Sequence, residues 1–145
     1  MTQYIDAVAG TSTRGCCQVT TTLPERAAAD RLAGTLVEER WAACAQVVGP
    51  VESTYRWQGQ VERATEWYCH LKTTLARAPG LAARLRELHP YDTPEIVAVA
   101  IVDGDPDYLR WIAESVDDPA SGPGPGRRGG RGRTRTTRRA PGMGP

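Results

Sequence analysis

The segment LHPYDTPEIVAVAIVDGDPDYLRWI, residues 88–112, concentrates the side chains best suited to binding a charged group. It carries His89, one of two histidines in the chain, together with Tyr91 and Glu95, and it places Pro90 and Pro94 among them. Each proline fixes its own φ and restricts the residue before it. The backbone is therefore stiff on either side of Tyr91-Asp92-Thr93, with His89 at a helix end and Glu95 at a strand start. Two readings follow. The segment is a stiff helix-to-strand connection, or it is a binding site on a rigid frame, which holds side chains more accurately than a loose loop. The residues alone leave both open.

Other reactive side chains are scattered. Cys16, Cys17, Cys44 and Cys69 include no C-x-x-C and no histidine or cysteine partner at zinc-ligand spacing. Cys16 and Cys17 are neighbours in a strand-like stretch, so their side chains leave opposite faces. In a reducing compartment they read as small buried hydrophobes. There is no G-x-S-x-G elbow, no P-loop and no H-E-x-x-H, and nothing sets a nucleophile beside a base. The expectation is a protein that is not an enzyme.

Composition narrows the class further. A hydrophobic fraction of 40% supports a real core, and no apolar run approaches the ~20 residues of a membrane span. Residues 1–14 lack a basic region followed by an apolar one, so no secretory signal is expected and the cytoplasm is the default compartment. The net charge of +1 hides an asymmetry. Seven arginines from Arg127 to Arg139 lie in a Gly- and Pro-rich stretch without acids. The other 11 basic residues stand against all 17 acids, so residues 1–118 carry a net −6. The expected organisation is a weakly ordered leader (1–14), one folded domain (15–116) and a disordered Gly/Pro/Arg-rich tail (117–145). Without interleaved aromatics, such a tail offers nucleic acid only non-specific phosphate contact.

Within the domain the hydrophobic period alternates. Residues 16–21 read as a strand. Thr22-Leu-Pro-Glu25 fits a capping box, opening a helix to about Arg40 with Ala29, Leu32, Ala33, Leu36 and Val37 in its stripe. Residues 43–57 read as a long strand with a bulge at Gly49-Pro50, and Gln58-Gly59 as the turn into a returning strand, 61–74. There Trp67, Cys69, Leu71 and Thr73 face one way, and Glu66, Tyr68, His70 and Lys72 the other. Leu81, Leu85 and Leu88 mark a helix over 79–89. Residues 96–102 read as a strand covered on both faces, and Asp105 caps a last helix carrying Tyr108, Leu109 and Ile112. The order β-α-β-β-α-β plus a helix predicts an α+β, ferredoxin-like split βαβ: an antiparallel sheet with two helices on one face.

Several of these stretches together resemble one family. VTTTLPERAAADRLAGTLVEERWAACAQVV, STYRWQGQVE, LKT and ELHPYDTPEIVAVAIVDGDPDYLRWI are similar to the CutA divalent-cation tolerance proteins over about residues 17–113. The resemblance implies a homotrimer whose long hairpin strands pair between subunits. It also implies a response to metal ions, with copper binding as the expected activity and Cu(II) as a non-obligatory cofactor.

The ligand positions that the resemblance implies fall on His89, Glu95 and Thr21, the last where relatives carry cysteine. Cys17 is on the same strand face but roughly 13 Å away at 3.3 Å per residue. Cu(II) accepts imidazole and carboxylate and heads the divalent affinity series, so a thiol-free site is chemically workable. Against this stands a structural reading, in which His89 ends its helix and Glu95 pairs with Lys72 or an arginine across the subunit boundary. Trp57, Tyr91, Tyr108 and Trp111 match aromatic positions of the family and, with Lys72, the only lysine, mark a candidate cleft between subunits. The competing function is a PII-like regulatory trimer that binds a small anionic ligand between subunits and signals to a partner.

Overall fold

The computed structural model describes residues 15–117. The expected leader and all but the first residue of the expected tail lie outside these described residues. Four strands and three helices follow in the order β1 (Cys16–Leu23), α1 (Arg26–Glu38), β2 (Cys44–Trp57), β3 (Gln60–Thr74), α2 (Ala78–Leu88), β4 (Val97–Ala100) and α3 (Pro106–Ser115). The strands form one sheet in the order β2-β3-β1-β4, and every neighbouring pair is antiparallel.

Residues paired across an antiparallel ladder point to the same face, so register sorts the side chains. Cys17, Val19, Thr21 and Leu23 of β1 pair with Thr73, Leu71, Cys69 and Trp67 of β3. This face carries the core, where Ala29, Leu32 and Leu36 of α1 and Leu81 and Leu85 of α2 bury against the sheet. Both helices therefore cover one face, as their apolar stripes require. Val37 and Leu88, expected in those stripes, sit at their margins and are exposed. Arg84 of α2 ties the two helices together with a forked contact to Glu39 at 2.8 and 3.0 Å. The opposite face presents Gln18, Thr20, His70 and Lys72. Its far end is closed by α3, where the Cys16 thiol donates to the Leu109 carbonyl at 3.6 Å.

The expected bulge is present. Val48 pairs with Tyr68 and Val51 with Glu66, leaving Gly49 and Pro50 opposite Trp67 alone. A side chain at Gly49 would lie 2.5 Å from Trp67 Cδ1, so the indole packs directly on the glycine backbone. Beyond the bulge the two strands pair only with each other as far as Trp57 and Gln60, and form an arm that extends past β1.

Two local expectations are corrected. Thr22 does not cap α1: the ladder with β3 runs through Leu23, which draws Thr22 into β1, and Glu25 stands at the cap without a side-chain bond. Nor is β4 covered on both sides within one chain. It spans four residues at the sheet edge, and Val97 and Val99 are 46% and 58% exposed. An apolar run is necessary for a buried strand, but an edge strand supplies nothing to bury it against. The final helix starts as expected, with Asp105 Oδ2 accepting from the Tyr108 amide at 3.0 Å.

Candidate functional site

A cleft of about 710 Å³ opens on the sheet face away from α1 and α2, between the arm and the loop through residues 90–95. The arm's register explains its lining. Tyr55 pairs with Glu62 and Trp57 with Gln60, so Tyr55, Trp57, Glu62 and Glu66 all point to the face that carries Tyr68 and Thr22. The loop closes the opposite wall with Tyr91, Asp92 and Glu95. Four carboxylates and four aromatic rings therefore share one concavity whose lining holds no basic side chain.

A hydrogen bond joins the two walls. The Tyr91 hydroxyl donates to Glu66 Oε2 at 3.0 Å, and Glu66 is only 8% exposed. Burial, reinforced by the Glu66 carboxylate, pushes the Tyr91 phenol up to about 12, so it stays a proton donor at any physiological pH. Glu66 is thereby held in place with its charge facing the cleft.

His89 stands behind this loop as the C-cap of α2 and is 9% exposed. Its Nδ1 accepts the Tyr91 backbone N–H at 3.1 Å, and that fixes the tautomer. Nε2 must then carry the proton, which it donates to the Thr22 carbonyl at 2.9 Å. Strand geometry explains why that carbonyl is free. Ile101 N–H donates to the Cys16 carbonyl, so every second carbonyl of β1 from Cys16 points toward β4. The β4 ladder, however, ends at the Thr20–Val97 pair. His89 completes the edge of β1 where the strand partner is missing. Burial lowers its pKa below the ordinary imidazole value, against the opposing pull of the Thr22 carbonyl and the Glu66 charge. The helix terminus thus carries a neutral imidazole rather than a dipole-stabilised cation. Both ring nitrogens are engaged, and His89 would have to surrender one bond to ligate a metal.

The other candidate residues separate. Trp57, Tyr91 and Glu95 line the cleft, whereas Lys72, Tyr108 and Trp111 do not. Lys72 Nζ donates to Gln46 at 2.6 Å, and Tyr108 packs on Trp111 along α3 with ring centroids 5.6 Å apart. Within one chain, then, the five residues of the expected cleft between subunits (Trp57, Lys72, Tyr91, Tyr108 and Trp111) do not line a single concavity. Thr21 is fully buried on the helix-covered face of β1, opposite the face that Thr22 presents to the cleft, and its hydroxyl has no hydrogen-bond partner. Cys17 and Cys69 pack in the core, where burial pushes their thiols up to about 11 and about 12, with smaller contributions from Cys16 and from Asp30 and Cys44 respectively. Among the described residues, no three His, Cys, Asp or Glu side chains converge to hold a metal ion.

Glu62, Glu66, Tyr55, Tyr68 and Asp92 are site residues that the sequence reading did not single out. The signal was present in part. Strand alternation placed Glu66 and Tyr68 on one face, but nothing local joined that face to the loop after α2.

The fold and the cleft define an α+β protein with an acidic, aromatic-walled concavity beside a stiff histidine–proline loop. Residues 17–115 match the family model described as CutA1 divalent ion tolerance protein, and the chain belongs to that family. It is 45% identical over 94 residues to the divalent-cation tolerance protein CutA of Thermus thermophilus, covering 65% of this chain and 91% of that protein. A crystal structure of CutA from Xylella fastidiosa is similar with a TM-score of 0.69 at 37% identity, over 71% of this chain and 99% of that one. A CutA structure from Archaeoglobus fulgidus, described as a periplasmic divalent cation tolerance protein, has a TM-score of 0.68 at 32% identity, over 70% and 99% of the two chains. Among the described residues, no helix is long and apolar enough to cross a membrane.

Proposed function

We propose that the protein is a metal-responsive homotrimer of ferredoxin-like subunits, a binding protein rather than an enzyme, and that it takes a divalent cation in the acidic cleft. One observation carries the reading: Glu62, Glu66, Asp92 and Glu95 line a single concavity with no basic side chain to neutralise them. Like charges so gathered favour an incoming cation. Cu(II) heads the divalent affinity series for a given donor set, so it is the preferred ion. Its ligands come from the carboxylates, with Glu95 among them, and His89 joins only if it gives up its bond to Thr22 or Tyr91. The names of the relatives, divalent-cation tolerance proteins, agree with this ligand class.

Assembly is supported by what a single chain leaves uncovered. The two-stranded arm exposes Val61, with Val48 beside the bulge, and β4 exposes Val97 and Val99. An isolated two-stranded ribbon is marginal in water, and apolar edges invite pairing. Closed cyclic symmetry satisfies both, and three copies is the number that the likeness to the family implies. The strand order and the β-α-β-β-α-β succession support the ferredoxin-like reading. The four unpaired cysteines suit a reducing, cytoplasmic setting. A small anionic ligand, as in the PII-like alternative, would meet four carboxylates and is disfavoured.

Equilibrium dialysis against Cu(II), with light scattering on the same sample, tests the proposal. Saturable binding that is lost in the Glu66→Gln, Glu95→Gln double variant is expected, on a particle of three chains. A monomer, or binding untouched by the double variant, would refute it.

A further inference from the structure

The cleft is far larger than a metal ion needs. Ligands sit about 2.0–2.6 Å from a divalent ion, so a metal site is a tight knot of donors. A volume of about 710 Å³ instead falls in the range of roughly 300–1,000 Å³ typical of small-molecule sites. Its walls are also divided by chemistry. Tyr55 and Trp57 supply aromatic rings on the arm, while Glu62 and Glu66 on one wall and Asp92 and Glu95 on the other supply separated carboxyl groups.

We infer that the cleft binds an aliphatic polyamine, an inference that rests on its being a cation site. Each ammonium carries three N–H donors, which suits carboxylates placed on two walls rather than at one point. The methylene segments between ammonium groups lie against the aromatic rings, as the stem of a lysine side chain does, and the rings attract the charge through cation–π contact. Glu66, buried and fixed by the Tyr91 hydroxyl, is the preorganised anchor. The nearest arginines of the arm are engaged elsewhere: Arg56 donates to the Gly59 carbonyl and Arg63 pairs with Glu52. Neither lines the cleft.

Calorimetric titration of the full-length protein with spermidine, at about 0.15 M salt to screen diffuse attraction, reads the inference directly. Saturable binding is expected, weakened about tenfold in Trp57→Ala and largely retained in Trp57→Phe, because the ring contributes through its face. Asp92→Asn should weaken spermidine as well, and it replaces Trp57→Ala as the decisive variant if light scattering shows that the latter fails to assemble. Cu(II) is titrated into the parent protein in parallel. Absence of saturable spermidine binding, or binding indifferent to both Trp57→Ala and Asp92→Asn, overturns the inference. If Cu(II) still binds in that case, the metal reading stands without it.

Discussion

Replacing His89 with alanine removes one donor and one acceptor at once, and the structure says what each loss leaves behind. The Thr22 carbonyl would face the gap beyond the end of β4, and the Tyr91 amide would lose its acceptor. Orphaning a buried polar group costs about 1–3 kcal/mol. Allowing for water entry at one of the two, the variant should lose about 2–4 kcal/mol. For a domain of this size each kcal/mol lowers Tm by about 4–8 °C. Urea unfolding followed by circular dichroism at one fixed protein concentration measures the loss, since mass action shifts the midpoint of any oligomer.

The same imidazole sets a pH dependence whose sign follows from its environment. Burial lowers the folded pKa below the value of about 6.5 that the unfolded chain retains. The unfolded state therefore binds a proton first. The stability that His89 contributes is intact above about pH 6.5 and is lost as the pH falls through the lower folded pKa. Protonation at Nδ1 also removes the acceptor for the Tyr91 amide, loosening the loop that presents Asp92 and Glu95. The parent protein should lose stability between pH 7 and pH 5, and His89→Gln should lose less over that window. A His89→Ala protein with the urea midpoint and pH profile of the parent would refute this reasoning.

Thr21→Val keeps the β-branched shape and deletes a buried hydroxyl without a partner, so it should raise stability by about 1–2 kcal/mol in the same assay. Gly49→Ala drives a methyl into Trp67 and should cost about 1–3 kcal/mol, with an altered near-ultraviolet aromatic spectrum. Cys17 and Cys69, held protonated in the core, should resist a thiol reagent until the protein unfolds, while half-buried Cys44 reacts first.

Much of the architecture was legible because it is local. The alternation of Trp67, Cys69 and Leu71 against Tyr68, His70 and Lys72 sorted the faces of β3, and Gly49-Pro50 announced the bulge. The Thr22 capping box misled because the pairing of Leu23 with Trp67, 44 positions away, draws Thr22 into a strand. The run over 96–102 misled because apolar composition reports a need for cover but not what supplies it. The site was the least legible part. Whether His89 acts as a ligand or a structural peg depends on a carbonyl 67 residues distant, and Glu66 becomes an anchor only when Tyr91 reaches it across 25. No periodicity encodes either contact.

Electron paramagnetic resonance of the Cu(II)-loaded protein tests the central claim most directly, because it reports the atoms that hold the metal. If the carboxylates of the cleft take the cation while both His89 nitrogens stay bonded within the chain, the spectrum should show oxygen-dominated coordination. It should carry no nitrogen coupling and be unchanged in shape by His89→Gln. Resolved coupling to an imidazole nitrogen, disappearing in His89→Gln, would contradict the account and make the histidine the metal's ligand.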